Sequence, residues 1–259
     1  MKILKNKILK RSFIIGIPFI LISLITWKAQ TMVCKGLEIR FLNNKNKNFV
    51  DESDIRAMLK KTTPNILGYK MKQIDVEYLE KIINKNPAIK QADVYKSING
   101  KINVDVTLRS PILKIYNSHE QSYYIDEEGN IIPDKGRFYE QILIANGNIN
   151  YKYSGKLVNV FKDSLQKTFL DELILMTKLI KSDNFLDAQI QQLYVNKKNE
   201  FELIPRVGPH IVLFGKIDNY EKKFRNLKYF YLNVLNGEGW NKYSEINLKY
   251  DKQIVCTKR

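Results

Sequence analysis

Residues 86–108 have the sequence NPAIKQADVYKSINGKINVDVTL, the pattern of a helix end followed by a β-hairpin. Asn86-Pro87 ends the helix, because the residue before a proline disfavours the right-handed helical conformation. Asn99-Gly100 is a strong signal for a two-residue hairpin turn. Apolar and polar residues then alternate, which predicts a strand with one buried face. The apolar members are Ile102, Val104, Val106 and Leu108, and the preceding strand contains Ala92, Val94 and Tyr95.

The residues before this hairpin complete a small α+β domain. Residues 37–42 are a candidate strand. Asp51 or Ser53 can cap a first helix and Asp75 a second one, since apolar residues at helical spacing follow both positions. Those residues are Ile55, Met58 and Leu59 in the first helix and Leu79, Ile82 and Ile83 in the second. We therefore predict that residues 36–109 fold as one domain with the order βααββ.

An uncharged apolar segment precedes this domain. Residues 12–27 contain no charged side chain, whereas residues 1–11 contain five bases and no acid. A helix of about 20 residues crosses roughly 30 Å of hydrocarbon, and Lys28 can extend its ammonium group to the interface. We predict a transmembrane anchor at residues 12–33 and, by the positive-inside rule, a cytoplasmic basic tail at residues 1–11. A cleaved signal peptide is the alternative, but no pair of small residues suited to signal peptidase follows Trp27.

Residues 110–259 predict a second, larger domain with a mixed β-sheet and flanking helices. A turn is predicted at residues 126–130. Asp163 can cap a helix that ends near Ser182, and another helix follows Asp218. The first helix has Leu165, Phe169, Leu173, Met176 and Ile180 at helical spacing; the second has Phe224, Leu227, Tyr231 and Val234 on one face and is closed by Gly237 and Gly239. Strands are predicted at residues 112–116, 122–125, 190–195, 201–205 and 211–214.

The last predicted strand, residues 243–250, is a candidate for an exposed sheet edge. Ile246, Leu248 and Tyr250 would share its apolar face. A sheet edge presents unpaired backbone donors and acceptors, which another chain can satisfy by adding a strand. The alternative is that this strand is simply the last strand of the sheet and binds no other chain. The predicted partner-binding residues are the outward side chains of this strand and part of the preceding helix: Lys228, Phe230, Tyr231, Tyr243, Glu245, Asn247 and Lys249.

The composition is strongly basic. Lys and Arg total 43 against 27 Asp and Glu, a formal net charge of +16. Such a field favours anionic partners. No zinc-finger, helix-turn-helix or RRM signature is present, so we do not expect a nucleic-acid partner. The two cysteines, Cys34 and Cys256, do not suggest a disulfide framework.

The sequence offers little for catalysis. The two histidines, His119 and His210, have no ligand or nucleophile at motif spacing, and no P-loop, G-x-S-x-G, G-x-G-x-x-G or Cys-x-x-Cys motif occurs. Residues 126–128 form an acidic group that could be imagined as a carboxylate pair for glycoside hydrolysis. Their place beside Gly129 favours a turn instead. We expect no enzymatic activity, no cofactor, no metal and no small-molecule substrate.

Specific segments resemble the FtsQ/DivIB cell-division family. They are Asn86-Pro87, Ala92-Asp93-Val94, the run from Leu108 to Ile112, the segment YYIDEEGNIIP at residues 123–133, and the hairpin containing Leu203-Ile204-Pro205 and Leu213-Phe214-Gly215. The family carries a POTRA domain behind a single N-terminal anchor, followed by a β domain. Its last strand usually has aspartate and arginine where this chain has Asn247 and Lys249, so the charge or the hydrogen-bonding fork at those two positions differs from that of the family.

The resemblance implies a non-enzymatic divisome scaffold in the cell inner (cytoplasmic) membrane at the division septum. It would be single-pass, with the N-terminus cytoplasmic and the C-terminal domains periplasmic or otherwise extracytoplasmic. Its partners would be small single-pass coiled-coil division proteins and the septal peptidoglycan synthase machinery. Two alternatives remain: a POTRA-type binding module in protein translocation or envelope assembly, and a cell-wall hydrolase.

Overall fold

The computed structural model describes residues 31–43, 49–64, 66–137, 141–162 and 169–259. Its internal contacts divide the chain into two compact units, one ending at Leu108 and the other beginning at Arg109. The predicted α+β class is confirmed. The basic tail and all but the last residues of the predicted anchor lie outside the described residues, and within the described ranges no helix is long and apolar enough to cross a membrane.

The first unit has the predicted order βααββ. Its elements are β1 (Gly36–Phe41), α1 (Glu52–Thr62), α2 (Val76–Asn84), β2 (Ile89–Lys96) and β3 (Lys101–Leu108), with a short 3₁₀ turn at Met71–Gln73. The strands form a three-stranded sheet in the order β1-β3-β2. β3 pairs in parallel with β1 and antiparallel with β2, so it is the central strand.

Both helices of this unit begin at side-chain caps. Asp51 accepts a hydrogen bond from the backbone N–H of Asp54, and the Asp54 side chain accepts one from the N–H of Asp51, which makes a capping box. Asp51 rather than Ser53 is therefore the N-cap of α1. The Asp75 carboxylate accepts from the N–H of Tyr78 in the same way, as predicted for α2.

The β2–β3 hairpin has the predicted strands but a different turn. The N–H of Gly100 donates to the carbonyl of Ser97, and the N–H of Ser97 donates to the carbonyl of Lys101. Asn99 and Gly100 therefore occupy the third and fourth positions of a β-turn, and Gly100 has a φ of +84°. In the predicted two-residue hairpin loop they would have occupied the second and third positions. The alternation in β3 is confirmed, because its four predicted apolar residues are at most 1% exposed.

The second unit contains a nine-stranded mixed sheet in the order β12-β11-β10-β9-β8-β7-β4-β5-β6. Its first strands are β4 (Pro111–Tyr116), β5 (Ser122–Asp126), β6 (Ile131–Pro133) and β7 (Leu143–Gly147). The later ones are β8 (Ile190–Val195), β9 (Phe201–Pro205), β10 (Ile211–Gly215), β11 (Tyr243–Asn247) and β12 (Val255–Lys258). All five strands predicted between residues 110 and 215 are present. β6, β7 and β12 are additional.

Helices cover one face of this sheet and form the core with it. They are α3 (Leu170–Lys181), α4 (Asn184–Gln189) and α5 (Tyr220–Phe230), which continues through a π-helical turn at Tyr231–Leu235 into the short α6 (Asn236–Glu238). The ring of Phe224 in α5 lies 4.8 Å from that of Phe214 in β10, measured between centroids. Asp163, the predicted cap of the first helix, lies outside the described residues, and α3 is described from Leu170.

Candidate partner-binding edge

The predicted edge strand is not at the edge of the sheet. β11 pairs in parallel with β10 on one side and antiparallel with β12 on the other. β12 is the terminal strand of the sheet, and no other strand of the described ranges pairs with its outer side. The interpretation of residues 243–250 as an exposed edge is therefore wrong. The edge lies one strand further along the chain, at Val255–Lys258.

Hydrogen bonds between β12 and the β11 segment indicate which amides of β12 face outward. The N–H of Arg259 donates to the carbonyl of Lys242, at 3.1 Å, and therefore points toward β11. Backbone direction alternates along a strand, so the N–H groups of Thr257 and Val255 point the same way. The Ser244 hydroxyl also donates to the carbonyl of Thr257, at 3.3 Å. The N–H groups of Cys256 and Lys258 therefore point away from the sheet, where a further strand would lie.

The four predicted outward residues of the β11 segment have different surroundings. Tyr243 is half-buried and packs on Phe230, with ring centroids 5.8 Å apart. Glu245 is exposed and accepts a hydrogen bond from the Thr257 hydroxyl on β12, at 3.3 Å. The Asn247 side chain accepts from the N–H of Lys249, at 3.0 Å, just after β11 ends. Glu245 and Asn247 thus remain beside the edge strand.

Lys249 forms an ion pair with the neighbouring β8–β9 hairpin. Its ammonium group lies 3.2 Å from the Glu200 carboxylate and lowers the pKa of that carboxyl by hydrogen bonding to it. Its methylene chain lies over Gly215, where a Cβ would come within 2.8 Å of the Lys249 Cγ. Tyr250, predicted to share the apolar face of Ile246 and Leu248, is instead 52% exposed beyond the end of β11, while the other two are buried.

The three predicted helix residues do not form a surface with the edge. Phe230 and Tyr231 are buried, at 8% and 1% exposure, so a role in direct contact with a partner is wrong for both. Lys228 is half-buried, and its ammonium group lies 2.6 Å from the Asp183 carboxylate that caps α4. That bond lowers the pKa of Asp183. Lys228 therefore fastens α5 to the start of α4.

Tyr231 belongs to a buried aromatic cluster behind the edge. Its hydroxyl lies 2.8 Å from Nε2 of His210, and its ring centroid lies 5.3 Å from that of Trp240. Burial lowers the pKa of His210 and raises that of Tyr231. Both side chains are therefore neutral at pH 7, and the cluster is part of the core.

The acidic group at residues 126–128 forms a turn, as predicted. Asp126 is buried and accepts hydrogen bonds from the N–H groups of Glu128 and Asn130, at 2.9 and 2.8 Å. Its other oxygen lies 2.9 Å from the Arg109 guanidinium, which also lies 3.4 Å from Glu128. The carboxylates of Asp126 and Glu128 therefore stabilise the turn, and these contacts give them a structural role. Among the residues that the structure describes, no group of three or more His, Cys, Asp or Glu side chains is placed to hold a metal ion.

Sequence reasoning missed β12. Residues 254–257 read Ile-Val-Cys-Thr, a short run rich in β-branched residues that favours a strand. Asp251 and Lys252 lie in a turn just before it. This local signal indicates a strand, whereas the pairing of that strand with β11, which displaces the edge, is seen only in the sheet.

The fold and the edge define a class of protein: a POTRA-like domain followed by a mixed β-sheet domain. A family model described as FtsQ/DivIB, C-terminal related, matches residues 110–257, and a POTRA-like domain model matches residues 32–107. Since the first match covers more than half of the 259 residues, the chain belongs to the FtsQ/DivIB family. Both matches together indicate a cell-division scaffold, in a family that is generally non-catalytic. No curated protein matches the chain in sequence.

Proposed function

We propose that this protein is a divisome scaffold that links small single-pass coiled-coil division proteins to septal peptidoglycan synthesis at the cytoplasmic membrane. The scaffold holds its partners by backbone pairing and side-chain contacts and catalyses no reaction. Its family membership supports the process, and the free edge of its larger sheet supports the mode of binding.

The outer edge of β12 is the observation that carries this proposal. The N–H groups of Cys256 and Lys258 point outward, and the carbonyls of the same residues accompany them, so a partner strand can form a regular ladder there. Main-chain hydrogen bonds of this kind supply affinity with little sequence selectivity. The neighbouring side chains must therefore supply the selectivity.

The side chains around the edge favour an acidic partner segment. Lys258 and Arg259 lie on the edge strand and at its end, and both are exposed. Lys242 lies near them, since its carbonyl accepts from the N–H of Arg259. These bases attract carboxylates and steer an acidic strand to the edge. Glu245, held by Thr257, adds one acid on the sheet face beside them.

Proline substitution on β12 tests this mode of binding. Lys258→Pro removes an outward N–H and no bond to β11, whereas Lys258→Ala changes the side chain and keeps the donor. The lost bond contributes about 1 kcal/mol, and the proline ring also blocks a closely paired strand. We expect Lys258→Pro to weaken capture of the small coiled-coil division proteins at least about ten-fold relative to Lys258→Ala.

Thermal melts of both variants must accompany the pull-down, because a damaged fold would also lose binding. Thr257→Pro is the matched variant on the inward side: it removes a donor that points to β11 and should lower the melting temperature. If Lys258→Pro folds normally and captures its partners as well as Lys258→Ala does, partners bind elsewhere on the protein.

The link to the membrane and to the synthase machinery is the second part of the proposal. The apolar residues 12–27 and the five bases before them favour a single-pass anchor with a cytoplasmic N-terminus. A mature protein that retains Met1 would support an uncleaved anchor, and a new N-terminus near residue 30 would contradict it.

The first unit offers a separate binding surface for the synthase machinery. A groove of about 400 Å³ lies between β1 and α1, with Leu37, Leu59 and Ile66 in its lining. Arg56 donates to the carbonyl of Leu37 there, at 3.0 Å. An apolar segment of a partner fits this groove. A POTRA module for protein translocation would use the same surface, so loss of septal localisation on depletion of the synthase distinguishes the two functions.

A further inference from the structure

The first unit has an end at which three segments are joined by backbone hydrogen bonds. They are residues 31–35, where the described chain begins, residues 67–72, and the β2–β3 turn with its flanks, residues 96–101. The N–H of Cys34 donates to the carbonyl of Tyr69, and the N–H of Lys35 donates to that of Gly100, both at 2.8 Å. We name this surface the entry end, because the chain enters the unit there.

Exposed apolar side chains are concentrated at the entry end. Ile98, at the tip of the hairpin turn, is 95% exposed. Leu67 is 60%, Tyr69 48% and Val33 40% exposed. Single exposed apolar residues are normal on a protein surface, but four on three neighbouring segments indicate that something covers them.

The same three segments carry only one sign of charge. They contain five lysines and no Asp or Glu, and all five lysines are exposed: Lys35, Lys70, Lys72, Lys96 and Lys101. Lys101 pairs with Glu38 on β1, at 3.2 Å. Apolar tips among lysines are the pattern of a surface that lies in the interface of an anionic bilayer, where apolar side chains enter and ammonium groups bind lipid phosphates.

The length of the chain outside this unit places a bilayer within reach. Met32 already belongs to the unit, because its carbonyl accepts from the N–H of Met71, at 2.8 Å. The uncharged apolar segment ends at Trp27, five residues earlier. Five residues span at most about 18 Å when fully extended and about 8 Å as a helix. The predicted anchor continues past Trp27, because about 20 residues of helix are needed to cross the bilayer, so even less chain separates it from Met32. If the anchor crosses the membrane, the entry end must lie close to the headgroups.

We propose that the entry end is a membrane-contact surface, in which Ile98, Leu67 and Tyr69 enter the interfacial region of an anionic bilayer and the lysines bind its phosphate groups. This contact rests on the anchor of the proposed function and is independent of partner binding at β12. It fixes the orientation of the first unit relative to the bilayer, which a short connection to the anchor alone does not.

Fluorescence quenching by lipids in the full-length protein tests this proposal. Ile98→Cys and Leu42→Cys are each labelled with an environment-sensitive fluorophore on a Cys34→Ala, Cys256→Ser background, and the proteins are reconstituted in vesicles containing phosphatidylglycerol and a lipid-borne quencher. Leu42 is the matched control because it is an apolar residue, 61% exposed, at the other end of β1. Seven residue-to-residue rises from Lys35 to Leu42 separate the two ends by about 23 Å.

We expect lipid quenching several-fold stronger at position 98 than at position 42. The difference should shrink when phosphatidylcholine replaces phosphatidylglycerol, or when salt is raised from about 0.1 M to about 1 M, because lysine–phosphate attraction is then lost or screened. Lys70→Gln with Lys72→Gln should have the same effect. Equal quenching at both positions in the anionic vesicles would overturn the proposal.

Two further measurements keep the outcome clear. Flotation of the same vesicles reports on the anchor: a chain that does not float overturns the anchor and this contact together, whereas a floating chain with equal quenching overturns the contact alone. Cross-linking of the unmodified protein to a photoactivatable phosphatidylglycerol avoids the cysteine substitutions. Adducts should fall on residues 67–72 and 96–101, and adducts spread evenly over the first unit would contradict the proposal.

Discussion

Val104→Asp is the sharpest test of the packing in the first unit. Val104 lies on β3, is 0% exposed, and is paired with Ile39 on β1 and Val94 on β2. Loss of its buried apolar surface costs about 1.5–3 kcal/mol, and burial of a polar group without a partner costs roughly 2–7 kcal/mol more. We expect a total loss of at least about 4 kcal/mol from a domain whose whole stability is about 5–15 kcal/mol.

Asn103→Asp is the matched control. Asn103 is the preceding residue of β3, points to the opposite face, and is half-buried. Its cross-strand partner on β1 is Glu38, so the new carboxylate adds a like-charge contact of about 1 kcal/mol or less. The two variants introduce the same side chain one residue apart and should differ by about 3 kcal/mol or more.

Hydrogen exchange in the full-length protein measures this difference locally. Amides of residues 101–108 should exchange roughly a thousand-fold faster in Val104→Asp, because each 1.4 kcal/mol changes the opening equilibrium ten-fold. Amides of β8 in the second unit provide the internal reference. Equal acceleration in Val104→Asp and Asn103→Asp would refute the assignment of the buried face.

Three further predictions concern the second unit. Asp126→Asn should lower its free energy of unfolding by about 3 kcal/mol, since the Arg109 charge would lose its buried partner; an unchanged denaturation midpoint would contradict this. Burial lowers the pKa of His210, so the unfolded state takes up the proton first as the pH falls below about 6.5; the melting temperature should decline from there, and His210→Asn should abolish that decline. Leu248→Asp should unfold the unit, because Leu248 is buried, whereas Lys249→Glu should cost about 1 kcal/mol or less in a thermal melt, because it removes a partly exposed ion pair with Glu200.

Local signals in the sequence predicted most of the first unit. Asp51 and Asp75 begin the two helices because a carboxylate can accept the free N–H groups of a first turn, and this is visible from a few residues. The period-two pattern of β3 is equally local. The exact turn was not predictable in the same way. Asn99-Gly100 suits the third and fourth positions of a β-turn as well as the two central positions of a two-residue hairpin loop.

Strands that depend on distant partners were harder to predict. β7 pairs in parallel with β4 and β8, from which it is separated by long stretches of chain, and no hairpin turn marks it. Parallel strands are joined by long crossover connections, so the residues next to such a strand do not indicate which strand it pairs with. β12 returns to β11 after a loop, and its pairing converts a predicted edge into an interior strand.

The candidate site was predicted only in part. Helical spacing correctly placed Phe224, Leu227 and Tyr231 on the buried face of α5 and its continuation. This placement conflicts with the separate prediction of Tyr231 as a partner-binding residue, and the burial of Tyr231 decides in favour of the helical spacing. The π-helical turn then widens the helix by one residue, so that Leu235 is buried and Val234 only partly so. A single π-helical turn cannot be predicted from the spacing of apolar residues in the sequence.

Amide hydrogen exchange on β12, with and without a bound partner, tests the central claim most directly. The N–H groups of Cys256 and Lys258 point away from β11, whereas those of Val255 and Thr257 point toward it. If a small coiled-coil division protein adds a strand at this edge, Cys256 and Lys258 should gain strong protection on binding, while Val255 and Thr257 are already protected in the free protein. Unchanged exchange throughout β12 in a saturated complex, with new protection elsewhere, would contradict strand addition at this edge.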